Sequence, residues 1–397
     1  MKKKILFVLP SLDAGGGQKS LVNLLTQIDS QNFQVDLYLI KSEGLFFNSL
    51  PKDVRVIEPT GSYLTFSKGF FPSIFSFIKT KDLKMIYFRI MLAIQNRLYR
   101  NKNKAEQRGW KYLNHFFEPL PQRYDVAIGY LEKSSIYFTV DKVNAEIKIG
   151  WIHTNYSDSG MDSEVDFRYF NKLNHIVTVS EECAHSLRKE FPPYKEKIFT
   201  IENIVSKKMI LSLAKQNSDL KIFDNQNINI LTIARLSHEK GIDLAIKSCS
   251  ELVKKMSNIK WFIIGEGPEK EKLKKLIKKL NLEKNFLLLG LKENPYPYLN
   301  KADIYVQPSR YEGKSLAIDE AKILHRPIVI TNFETAKDQI KNNENGLVVA
   351  MNENGLTEGI MSIITNKNLK IKLESGLSKE KHSNEEEVEK LYSLINS

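Results

Sequence analysis

Short apolar runs alternate with stretches of helical periodicity along most of this chain, the pattern of parallel strands joined by crossover helices. In the first half the pattern predicts strands at 5–9, 34–40, 54–57, 126–130, 147–152 and 175–179, with a helix over 20–28 after the first. In the second half it predicts strands at 228–233, 261–264, 286–289, 304–306 and 328–331, with helices over 242–256, 270–280 and 316–324. A polar segment rich in Lys, Asn and Ser, 203–227, separates the halves as a domain boundary does. The last periodic stretch, 385–395, is amphipathic through Val388, Leu391, Leu394 and Ile395. The expectation is an α/β chain with domains at 1–203 and 204–380 and a closing helical segment at 381–397.

Composition narrows this picture. A chain of 397 residues exceeds what one hydrophobic core supports, and 42% hydrophobic with 27% charged residues excludes a disordered or fibrous chain. The net charge of +12 calls for an anionic partner: nucleic acid, a phospholipid surface or a phosphorylated small molecule. No nucleic-acid binding module is recognisable, so the first is not expected. Cys183 and Cys249 fit no metal spacing and read as thiols in a reducing cytosol. The apolar run at 5–9 is too short for a secretory signal and is broken by Pro10. No run approaches the roughly 18 apolar residues of a spanning helix. A cytoplasmic protein, meeting the inner face of the cell membrane peripherally, is the expectation.

One segment departs from the alternation. Residues 61–123 carry Phe66, Phe70, Phe71, Phe75, Phe77, Tyr87, Phe88, Trp110, Phe116 and Phe117 among twelve Lys/Arg and three acidic residues. A basic–aromatic helix pair of this kind lies in the headgroup layer of an anionic membrane. The alternative is that the aromatics pack on the sheet and the lysines form a solvated face.

Four motifs carry candidate chemistry. Gly15-Gly16-Gly17-Gln18-Lys19-Ser20 follows the first strand and opens a helix, where backbone amides can approach an anion or a sugar. It is neither a Walker loop nor a dinucleotide fingerprint, because the spacings differ. Ala234-Arg235-Leu236-Ser237-His238-Glu239-Lys240-Gly241 sets two cations at a strand's carboxyl end, where open α/β sheets bind ligands and a diphosphate can be clamped. Glu312 and Glu320 flank a predicted helix start at Ser315–Leu316, so amides can face a phosphate while the two carboxylates accept from hydroxyls. His153, in Trp151-Ile152-His153-Thr154-Asn155, ends a strand, where it serves either packing or a ligand hydroxyl.

Together these motifs resemble family 4 (group 1) glycosyltransferases over nearly the whole chain, with Gly265-Glu266-Gly267-Pro268 and the E-x7-E spacing from Glu312 to Glu320 as further matches. The regions 148–156 and 312–331 look most like transferases of capsule, exopolysaccharide and O-antigen synthesis. The resemblance implies the GT-B fold, two Rossmann-like domains facing each other across a cleft, the first for the acceptor and the second for the nucleotide-sugar. It implies that Arg235 and Lys240 bind the donor diphosphate at the Ser315–Leu316 helix start. Glu320 then holds the ribose, Glu312 the donor sugar, and Leu291 and Lys292 the base. His153 lies beside the transferred sugar, and Gly15, Gly16 and Gly17 line the acceptor side, Gly17 near a phosphate. It also implies retention of anomeric configuration without cofactor or essential metal, from a nucleotide-sugar (UDP-linked) to a lipid-linked oligosaccharide. Two departures stand out. Lys314-Ser315 follows the first glutamate where many members carry a small pair such as Phe-Gly, and Glu202-Asn203-Ile204 replaces Pro-Asn-Gly at the domain junction. Competing readings are a nucleotide-sugar epimerase on the same fold and a catalytically silent membrane-associated partner of a polysaccharide assembly complex.

Overall fold

The computed structural model describes residues 2–13, 15–216, 220, 222–224, 226–292, 294–380 and 384–396. The chain divides into two compact units, Met1–Asp13 with Gly17–Glu202 and Glu386–Ser397, and Ala14–Gly16 with Asn203–Glu385.

The first unit is a seven-stranded parallel sheet: β1 (Lys3–Leu9), β2 (Phe33–Leu39), β3 (Arg55–Ile57), β4 (Arg123–Gly129), β5 (Asn144–Ile152), β6 (His175–Thr178) and β7 (Ile198–Thr200). Their order is β3-β2-β1-β4-β5-β6-β7. β1 is an interior strand, pairing Ile5 with Val35 on one side and Val126 on the other. Ile5 to Leu9 are wholly buried, as expected for a strand covered on both faces by crossover helices, and this is why it reads as an unbroken apolar run.

The second unit is a six-stranded parallel sheet of β8 (Ile228–Ile233), β9 (Ile259–Ile264), β10 (Phe286–Leu288), β11 (Ile304–Gln307), β12 (Ile328–Thr331) and β13 (Leu347–Val349), in the order β10-β9-β8-β11-β12-β13. Each sheet reverses its winding once, between β1 and β4 in the first and between β8 and β11 in the second. Such reversals splay the following loops apart and leave a crevice at the carboxyl ends of the two strands. All four motifs follow strands at or next to these positions.

The pattern predicts the three-residue edge strands β3 and β10 but not β7 and β13, which are equally short. The closing helix, Glu387–Asn396, packs on the first unit. The Tyr392 ring stacks on Phe33 at 4.9 Å, its hydroxyl accepts from the Asp29 N–H at 2.8 Å, and Lys3 Nζ donates to the Ile395 carbonyl at 3.2 Å. Residues 381–383, where the predicted closing segment begins, lie outside the described residues.

Candidate functional site

In the second unit the loop after β8 and the loop after β11 are laced together. Gly241 sits at φ +63°, and a Cβ there would lie 1.9 Å from the Pro308 carbonyl oxygen, so only glycine allows the loops this close. The Arg310 N–H donates to the Glu239 carbonyl at 2.7 Å, and the Arg310 guanidinium takes Asp243 in two 2.8 Å bonds. The Gly265–Pro268 turn supports the first loop from below: Leu236 N–H donates to Glu266 O, and Glu269 N–H to Leu236 O, both at 3.0 Å.

On this frame Lys240 and Glu312 meet. Lys240 Nζ is 2.6 Å from Glu312 Oε2, while Glu312 Oε1 accepts from Ser309 Oγ at 2.7 Å and Gln307 Nε2 at 3.0 Å. The two residues that sequence reasoning assigns to different parts of a donor are thus direct partners. Arg235, by contrast, is exposed, and its side chain shows no hydrogen bond or ion pair among the described residues. Glu320, in helix Leu316–Ile323, is buried and accepts from Tyr296 Oη at 3.3 Å. Burial, and then the negative charges of Glu312 and Glu320, push the Tyr305 phenol well above its ordinary range, so it stays neutral and donates to Gln307 Oε1. Ser315 is the residue before that helix; its N–H donates to Gln339 Oε1 at 2.9 Å and its carbonyl accepts from Gln339 Nε2 at 2.8 Å. Leu291 is exposed after β10, and Lys292 Nζ lies 5.7 Å from the Tyr298 ring centre.

In the first unit the structure brings Gly17 and His153 together. A Cβ on Gly17 would stand 3.6 Å from His153 Cγ and 2.6 Å from Leu131 Cδ2, so the helix Gly16–Leu25 approaches the imidazole on a bare backbone. Gly16 already lies within that helix, and a Cβ on it would touch nothing within 4 Å. The His153 ring packs 4.8 Å from Tyr130, whose hydroxyl meets Ser20 Oγ at 2.9 Å. Both ring nitrogens are buried without a hydrogen-bond partner among the described residues, and burial depresses the imidazole pKa to about 3. A neutral imidazole with two unused nitrogens is suited to a ligand hydroxyl. Gln307, Tyr305, Gln339 and Glu132 escaped the sequence reading: Gln307 and Glu132 stand just beyond a predicted strand, Tyr305 within one, and no local signal marks Gln339.

The segment 61–123 splits in two. Phe77, Trp110, Phe116 and Phe117 are buried on the sheet, and Phe66 and Phe88 pack partly against that core. Phe71, Phe75 and Ile78 on helix Phe70–Lys79 are exposed, as are Leu83, Tyr87, Ile90, Ile94 and Leu98 on helix Leu83–Leu98. Their spacing draws one apolar stripe along each helix. Among the described residues no helix is long and apolar enough to cross a membrane, and no group of three or more His, Cys, Asp or Glu is placed to hold a metal ion.

Residues 214–380 match the family described as Glycosyl transferases group 1. A poly(ribitol-phosphate) alpha-N-acetylglucosaminyltransferase of Staphylococcus aureus (strain COL) is 32% identical over 272 residues, covering 66% of this chain and 52% of the relative. An N-acetylgalactosaminyltransferase of Campylobacter jejuni, named for a diphospho-undecaprenol-linked acceptor, is 34% identical over 143 residues, 36% of this chain and 38% of its own. The chain thus spans about half the length of the first relative and less of the second. A variant of S. aureus TarM, solved with Fondaparinux, alpha-GlcNAc-glycerol and UDP, superimposes with a TM-score of 0.70 at 19% identity over 100% of both chains, a likeness of fold. The two parallel α/β sheets are of GT-B type, and the second sheet with the Lys240–Glu312 pair lies inside the stretch that matches the group 1 glycosyl transferases.

Proposed function

We propose that this chain is a retaining glycosyltransferase that moves a hexose-type sugar from a UDP-sugar to a lipid-linked or oligosaccharide acceptor in bacterial surface polysaccharide synthesis. The observation that carries the reading is the pair Arg235 and Lys240 at the β8–β11 switch point, beside buried Glu312 and Glu320. The second unit holds the donor and the first the acceptor. Arg235 and Lys240 receive the diphosphate with the amides that start helix Leu316–Ile323, and stabilise the charge that develops as the sugar leaves. Glu312 takes the donor sugar, Glu320 the ribose, and Leu291 with Lys292 the base. His153 accepts or donates at a hydroxyl of the transferred sugar, and Gly17 lies by a phosphate. The bond from the anomeric carbon to the diphosphate breaks and the bond to the acceptor oxygen forms on the same face. The acceptor's proton passes to the departing diphosphate oxygen. Protein cations supply the counter-charge, so the reading needs no cofactor and no essential metal. UDP in the TarM complex and a lipid-linked acceptor in the Campylobacter relative's name support the choice of donor and acceptor.

The exposed apolar stripes, flanked by Lys79, Lys81 and Lys84, fit the inner face of the cell membrane, where a lipid-linked acceptor is found. Replacing those lysines by Glu should lower binding to anionic liposomes roughly 100-fold, at about 1 kcal/mol per charge, and leave donor hydrolysis intact. Unchanged flotation assigns the stripes to packing instead. The central test is a panel of UDP-, GDP- and dTDP-sugars read by thermal shift and slow hydrolysis. Stabilisation and turnover by a UDP-hexose support the proposal, and release of free epimer without hydrolysis defeats it.

A further inference from the structure

We propose that Glu132 is the positioning residue for His153, and that a strained turn clamped to helix Lys102–Leu113 holds Glu132 in place. The inference rests on reading His153 as the imidazole beside the transferred sugar.

The imidazole makes no hydrogen bond among the described residues, so its aim is set by its own backbone and by packing. That backbone is gripped from one side chain. Glu132 Oε1 accepts from the His153 N–H at 2.5 Å and from the Thr154 N–H at 2.9 Å. The β4–β5 ladder ends at Gly129 and Gly150, so the carboxylate continues the pairing of the two strands into the loops beyond them. Burial raises the Glu132 pKa, while the His153 and Thr154 amides it accepts from pull the other way.

The next residue carries strain. Lys133 adopts φ 63°, ψ −115°, a conformation that costs a side-chain-bearing residue about 1–3 kcal/mol. Its Nζ reaches Glu106 Oε2 at 2.6 Å and Asn103 Oδ1 at 3.0 Å, and Ser134 Oγ donates to Glu106 Oε1 at 2.6 Å. The same helix also fixes the chain downstream of His153. Asn103 Nδ2 donates to the Ser159 carbonyl at 2.7 Å, and Gln107 Nε2 to the Asp162 carbonyl at 3.1 Å. Both segments that flank the imidazole are therefore tied to one helix of the basic–aromatic segment. Strain held by surrounding contacts is how a site keeps a side chain in one orientation.

The test uses the full chain labelled with 15N, with Glu132→Ala and Glu132→Gln variants and UDP-N-acetylglucosamine and UDP-glucose as probes. In Glu132→Ala the His153 and Thr154 amides should lose exchange protection, and the His153 ring-nitrogen resonances (identified by their loss in His153→Gln) should move. Donor hydrolysis should fall about 100-fold in kcat, the cost of a misplacement near 1 Å, with KM changed less than about threefold. Glu132→Gln keeps an acceptor oxygen but puts an NH2 where the second carboxyl oxygen sits, so kcat should recover only in part, to about three- to tenfold below wild type, with smaller ring shifts. Unchanged ring resonances and amide exchange in a folded Glu132→Ala protein overturn the proposal, as does a loss confined to KM. If the alanine variant does not fold, Glu132→Gln decides: wild-type ring resonances and kcat overturn the proposal, and a shift in both supports it. Moved resonances in a protein that hydrolyses neither probe leave the positioning role standing and remove the sugar-transfer reading.

Discussion

At the β8–β11 switch point the polar side chains brace one another. Lys240, Glu312, Gln307 and Ser309 form a closed set in which each buried polar atom meets a neighbour. At the loops after β4 and β5 the arrangement is opposite. His153 keeps both ring nitrogens unused, and what is braced is the peptide chain behind it, through Glu132. The difference follows from the chemistry each group has to do. A cation meant for a diphosphate would repel its surroundings in an empty site unless a carboxylate balanced it. A neutral imidazole carries no such charge and can be left open at modest cost, provided its direction is fixed.

Cutting the closed set should have the largest effect. Lys240→Ala leaves Glu312 buried with only neutral donors, so it should lose about 3 kcal/mol of stability, as removing one partner of a buried pair does. Turnover of the donor should fall about 1000-fold. Adding Glu312→Gln should restore much of the stability and none of the turnover, and chemical denaturation of the two variants measures the coupling. If Lys240→Ala is as stable as wild type, the pair is not holding the loops.

Arg235→Ala sharpens the contrast within the same site. The side chain is exposed and has no partner among the described residues, so its removal should leave the melting temperature unchanged. It should still lower kcat about 100-fold by taking a cation from the leaving diphosphate. A stability loss matching that of Lys240→Ala means that Arg235 is structural.

The open imidazole makes its own prediction through pH. Its folded pKa is depressed from 6.5 to about 3, so between those values the unfolded chain binds a proton that the folded chain refuses. Stability therefore rises with pH across that window, by up to about 1.4 kcal/mol per unit. His153→Leu should flatten this limb, and denaturation midpoints between pH 4 and about 6.5 check it. An unchanged slope means the imidazole is solvated. The smallest expected effect is none: chelation with EDTA should leave turnover intact, and activity restored only by added divalent metal ends the cation-based reading.

By itself the sequence determined the elements that span both faces of a sheet. β1 is apolar without a break from Ile5 to Leu9 and β9 from Trp261 to Ile264, all buried, and a run of that kind announces itself without a neighbour. Loop motifs were legible for a similarly local reason: Gly241 beside Lys240 is forced by the turn's positive φ and close approach, and Ser315 marks the residue ahead of a helix start. The tertiary structure alone decided the rest. That Lys240 partners Glu312 depends on β8 and β11 being neighbours, a pairing across 72 residues that no local period encodes. The split of the aromatic segment into a buried and an exposed set depends on which helix face meets the sheet. Glu132 carries no motif of its own in the sequence. Its place against the His153 and Thr154 amides exists only because β4 and β5 run side by side, and hydrogen bonds made across such a gap belong to the fold, not to the segment.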